Sequence, residues 1–104
     1  TTSGTAPYHF QIIEAIQNGN LSSCRKQIVE SVKDGEVDGF FTWLYQNVNI
    51  WVPDGVSADV REMIIMRCIV KIRDGLVADT LVSDREMNLA ATLVDLQMVM
   101  LEHM

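Results

Sequence analysis

The two longest apolar-periodic runs in this chain, Ala58 to about Asp74 and Ser83 or Asp84 to the C-terminus, carry more apolar surface than one core can take. At about 100° per residue, Ile65, Ile69, Ile72 and Leu76 form one face of the first run. Met63, Met66 and Val70 form a second face, set apart by Glu62 and Arg73. In the last run Leu89, Leu93, Leu96 and Met100 occupy one flank, and Ala90, Val94, Met98 and Leu101 the other. The polar stripe of Asp84, Asn88, Thr92, Asp95 and Glu102 is narrow. A helix that is apolar nearly all round lies at the centre of a larger body or at an interface. Within 104 residues, three companion helices do not easily cover two such helices. The expectation is that one flank of each builds the core and the other meets a second molecule, with Met63, Met66, Val70, Val94, Met98 and Leu101 as candidate subunit-interface residues. The alternative is a central hairpin wrapped on all sides by the rest of the chain.

The preceding half also reads as helix, which makes the fold class all-α: a five-helix bundle in a single domain over 1–104. A first helix is expected from Pro7 to Asn18, with Pro at the position where its missing N–H costs nothing and Gly19 as the stop. Asn20 can cap a second, in which Leu21, Cys24, Ile28, Val29 and Val32 recur at three- and four-residue spacing before Asp34-Gly35. A third, Val37 to Asn49, places Val37, Phe40, Phe41, Leu44, Tyr45 and Val48 on one side. Ile50 to Gly55 holds Pro53 and an Asp-Gly pair and is expected to be a loop, after which Ser57 caps the long fourth helix. Gly75 is one candidate end of that helix, and Leu76, Val77, Leu81 and Val82 could extend the pattern past it.

Catalytic chemistry has little to stand on in this sequence. It contains no G-x-x-x-x-G-K-[ST], G-x-S-x-G or H-E-x-x-H. His9 and His103 sit near opposite ends, where both are expected to be solvated. Cys24 and Cys68 are isolated from each other and from histidine, the pattern of small buried residues and not of a metal or redox site. Pairs such as Asp34/Asp38 follow from having 14 acidic residues against 8 basic ones. A net charge of −6 argues against a dedicated nucleic-acid surface, which needs clustered Lys and Arg. Arg61, Arg67, Lys71 and Arg73 are the densest basic group, yet only Arg67 and Lys71 share a helix face. No run approaches the roughly 20 apolar residues that span a bilayer. Mean hydropathy is nonetheless positive, +0.13, so the aliphatic excess must be covered. The small polar start, Thr1 to Pro7, without an initiator Met, suggests a piece of a longer protein.

One family shares several of these features. The stop Gly19-Asn20-Leu21, followed by Cys24-Arg25-Lys26-Gln27-Ile28, resembles the start of the C-terminal collar domain of clamp-loader small subunits of the replication factor C type. Gly39-Phe40-Phe41-x-x-Leu44-Tyr45 with the Pro53 loop is similar to the following segment. So is the long helix ending Val70-Lys71-Ile72-Arg73-Asp74-Gly75, with Asn88-Leu89-Ala90-Ala91-x-Leu93 in the last helix. The interval from Gly75 to Leu89 is longer than in that family, which a phage or viral relative would accommodate. The resemblance implies a five-helix collar that holds subunits in a ring during DNA replication, with sister clamp-loader subunits or further copies of itself as partners. It implies indirect dealings with the sliding clamp and DNA, a cytoplasmic location (the host's, if viral), and no cofactor in this chain. ATP and magnesium would belong to a preceding AAA+ domain. The reading from a different class is a small helical adaptor that binds one amphipathic partner helix in a Met-lined groove.

Overall fold

A computed structural model of the chain describes residues 7–103, the side chains of Pro7 and Asp34 excepted. The N-terminal run before Pro7 and the Asp34 half of the Asp34/Asp38 pair therefore lie outside the described residues. Every regular element described is helical: α1 (Pro7–Gln17), α2 (Leu21–Ser31), a 3₁₀ turn (Asp34–Glu36), α3 (Val37–Gln46), α4 (Val48–Trp51), α5 (Ala58–Asp79) and α6 (Arg85–Glu102).

Local chemistry sets most of the boundaries. Gly19 takes φ +75°, and its N–H bonds the carbonyl of Ile16 while that of Asn20 reaches Ala15, closing α1 in a left-handed glycine cap. Asn20, Ser57 and Asp84 each accept a bond from the backbone N–H three residues on, at Ser23, Val60 and Met87, and so start α2, α5 and α6.

Six α-helices replace the expected five because the third is split. Asn47 turns its side-chain amide back onto the Trp43 carbonyl, 3.0 Å away, the local competition that makes Asn a helix interrupter. A short turn, α4, then carries Trp51 inward, where its indole N–H donates to the Leu44 carbonyl. The expected loop from Ile50 is thus helical as far as Trp51, and irregular chain begins at Val52. Arg61 holds that loop, donating to the carbonyls of Asn49 and Val52 and lying 3.0 Å from Asp54 Oδ1.

The long helix does not end at Gly75 but continues to Asp79. Its core face is also rotated from the one expected. Ile64, Ile65, Cys68, Ile72, Gly75 and Asp79 are buried, while Ile69 is half-buried and Leu76 is exposed. On α6 the expected flank of Leu89, Leu93, Leu96 and Met100 is buried, joined by Val99 and by Thr92 from the supposed polar stripe.

The two long helices form a hairpin. The α1–α2 pair packs on one side of α6, and α3 and α4 pack against α5. Phe40, Phe41 and Leu44 of α3 meet Ile12 and Ile16 of α1, Cys24 and Ile28 of α2, and the buried faces of the hairpin in one continuous core. His9 is part of it. Only 4% exposed, it lies against Phe40 and Trp43 with ring centroids 4.9 and 4.7 Å away, so the expectation of a solvated histidine is overturned. The cause is tertiary: α1 is held by α2 and α6 almost from its first turn.

Candidate docking surface

The core arcs leave the opposite faces of α5 and α6 to solvent. On α5, Met63, Met66 and Val70 are all exposed, Met66 at 60%. With Val77, at 57%, they recur at i, i+3, i+7 and i+14 and make one continuous stripe. Val77 joins the stripe because α5 takes the longer of its two possible courses and runs past Gly75 to Asp79. On α6, Met98 and Leu101 are exposed, at 57% and 61%, and Val94 is half-buried with its inner side against the core. Met87, 64% exposed, extends the stripe toward the start of the helix two turns before Val94. Its i, i+7, i+11 spacing to Val94 and Met98 was the signal for it.

An ion pair links the two helices near the stripes. Arg67 Nη1 lies 2.7 Å from Glu102 Oε2 and 2.8 Å from His103 Nε2, tying the middle of α5 to the end of α6. The candidate residues lie on two helices: Met63, Met66 and Val70 on α5, Val94, Met98 and Leu101 on α6. Each stripe is backed by a closed core, so its side chains stay outside because the inner positions are already filled.

Beside the first half of α6 the surface is concave. A groove of about 340 Å³ runs between α2 and α6, lined by the apolar Leu21, Ile28, Met87, Ala90, Ala91 and Val94 and by the charged Arg25, Asp84 and Glu86. The volume is at the lower end of the range for ligand pockets, and it suits two or three apolar side chains of a docked helix.

The basic residues are dispersed among separate partners. Arg61 serves the loop after α4, Arg67 pairs with Glu102, Arg73 with Asp74, and Arg85 grips Asp79. Among the described residues no group of three or more His, Cys, Asp or Glu side chains is placed to hold a metal ion, and no helix is long and apolar enough to cross a membrane. Burial pushes the Cys24 thiol up to about 11 and the Cys68 thiol to about 12, which keeps both protonated and poorly nucleophilic.

The chain matches no family model, no curated protein and no solved structure. The described surface offers apolar side chains at helical spacing, the groove between α2 and α6, and ion pairs made within the fold.

Proposed function

We propose that this chain is an oligomerisation module of the clamp-loader collar kind, holding AAA+ ATPase subunits in a ring during DNA replication and doing no chemistry itself. The observation that carries the reading is the pair of solvent-facing apolar stripes on α5 and α6, each standing on a core that is already full. Burying such side chains releases roughly 25 cal/mol per Å² of apolar surface, and methionine adapts its shape to a neighbour at small cost. Covering the stripes would therefore favour association.

The dispersal of the basic residues fits the indirect relation to DNA that a collar has, since a phosphate footprint needs cations gathered on one face. Sister subunits or further copies of the chain are the partners, and the sliding clamp and DNA would be reached only through them. ATP and magnesium would be held by an ATPase domain and not by this chain. The adaptor reading draws support from the α2–α6 groove, but a single methionine, Met87, lines it.

Two measurements test the proposal. Size-exclusion chromatography with light scattering should show concentration-dependent assembly that Met66→Asp or Met98→Asp weakens without unfolding the chain. A clean monomer at high concentration, or variants that assemble like the wild type, overturns the interface. The encoding sequence upstream of Thr1 should specify a G-x-x-x-x-G-K-[ST] strand–loop–helix, and a start codon immediately before Thr1 would remove the clamp-loader assignment.

A further inference from the structure

The solvent-facing line of α5 has the spacing of a helix-pairing seam. Asp59, Met63, Met66, Val70, Arg73 and Val77 follow one another at intervals of four, three, four, three and four, and all of them are exposed. That alternation keeps one row of side chains turned toward a partner helix over several turns. The middle of the row is apolar and its ends carry opposite charge. Asp59, with Glu62 beside it, stands at one end, and neither carboxylate takes part in an ion pair or side-chain hydrogen bond among the described residues. Arg73 stands fourteen positions after Asp59, about 21 Å along the helix. Its ion-pair partner is its exposed sequence neighbour Asp74, at 3.2 Å.

Charge decides how such a row can meet a second copy of itself. Laid parallel, two rows set Asp59 on Asp59, Glu62 on Glu62 and Arg73 on Arg73. Laid antiparallel about a two-fold axis between Met66 and Val70, they set Met66 against Val70, Met63 against Arg73, and Val77 against Asp59 at the rim. Each guanidinium then lies between Asp59 and Glu62 of the other copy, while its aliphatic stem covers Met63. A two-fold axis of this kind brings each edge of the row onto the same edge of its mate. Glu62 and Arg73 share one edge, so they meet twice. Asp74 lies about 120° round the helix from Glu62, on the other edge with Arg67, which Glu102 neutralises at 2.7 Å.

We infer that α5 pairs with α5 of a second copy, antiparallel, across a two-fold axis between Met66 and Val70. The inference rests on the reading of the stripes as assembly surfaces and names the contact that one of them makes. A contact of this kind is complete with two copies, which leaves the α6 stripe to join pairs to one another or to sister subunits.

Charge reversal tests the contact, with Met98→Asp in every chain to take the α6 stripe out of the measurement. On that parent, Arg73→Glu sets acid against acid in the antiparallel pair, and Asp59→Asn combined with Glu62→Lys sets cation against cation. All these positions are exposed, and circular dichroism and thermal melts should show each chain folded like the parent. In light scattering the parent should be a dimer. Each variant alone should associate at least tenfold more weakly, the second although it carries less net charge than the parent, and an equimolar mixture should regain a 1:1 dimer. A monomeric parent, either variant pairing like the parent, or a mixture no tighter than its components overturns the antiparallel contact. If the unaltered wild type is also monomeric at high concentration, the assembly reading falls with it; if it assembles, only the α5 contact does.

Discussion

Gly75 of α5 stands directly against Thr92 of α6: a Cβ at Gly75 would lie 2.3 Å from Thr92 Oγ1 and 2.9 Å from its Cγ2, and 2.7 Å from the ring edge of Phe41. The backbone is used there too, since Asn88 Nδ2 donates to the Gly75 carbonyl at 2.9 Å and Thr92 Oγ1 to the Asn88 carbonyl at 3.0 Å. The glycine is thus a contact point between two helices rather than the end of one. Its missing side chain is the space that Thr92 fills.

Gly75→Ala should therefore reverse the usual preference. In an exposed helix the change gains up to about 1 kcal/mol, but inserting a methyl into a filled contact costs about 1–3 kcal/mol. A net loss is expected, visible as a lower urea midpoint. Adding Thr92→Ala removes two of the three clashing atoms and should recover part of it. A single variant as stable as the wild type would show that α6 yields readily at this point.

Across the same hairpin, Arg85 clasps Asp79. Its Nε lies 3.0 Å from both carboxylate oxygens and its Nη2 2.6 Å from Oδ2, while the Asp79 side chain is almost wholly buried in the last turn of α5. A carboxylate at a helix C-terminus opposes the helix dipole, so the guanidinium is what makes it tolerable. Arg85→Ala strands that charge and should cost about 3–5 kcal/mol. Asp79→Ala frees a partly exposed guanidinium to reach water and should cost distinctly less. Chemical denaturation of the two variants gives the order, and the reverse order would refute this account.

What the sequence made legible was local. The caps at Asn20 and Ser57, the start of the last helix at Ser83 or Asp84, the stop at Gly19, and the Leu89–Leu93–Leu96–Met100 flank each depend on residues within a turn or two of one another. The sequence leaves Gly75 open between a stop and a continuation, because its meaning lies in Thr92 and Phe41, seventeen residues later and thirty-four earlier, and no local rule separates a glycine stop from a glycine contact. The same cause rotated the core face of α5 by about one position. His9 was misjudged by its nearness to the chain end, although the aromatic cluster around it comes from α3. Of the docking surface, the methionine stripes could be read from spacing; the α2–α6 groove, made by two helices distant in sequence, could not.

Both cysteines should resist modification in the folded protein. Cys24 and Cys68 are fully buried, and their thiols are pushed up to about 11 and 12 by that burial. At pH 8 a thiol reagent should label neither until the chain opens, and the labelling rate should rise with urea in step with unfolding. Rapid labelling of either residue in buffer alone would contradict the packing described for it.

His9 should make the fold sensitive to mild acid. Burial lowers its pKa from the ordinary 6.5, with Glu36 nearby pulling weakly the other way. In the unfolded chain the imidazole takes up a proton as pH falls through 6.5, whereas in the fold it resists. The unfolded state then binds more protons, so the stabilisation present above pH 6.5 is lost progressively below it. Between pH 7 and about 5, before most carboxylates begin to protonate, the urea midpoint of the wild type should fall. His9→Gln, which cannot take up that proton, should show a smaller fall over the same interval even if its midpoint is lower throughout. Equal falls in the two proteins would mean that the acid sensitivity arises elsewhere, and a wild type indifferent to this range would mean that His9 is protonated within its aromatic pocket.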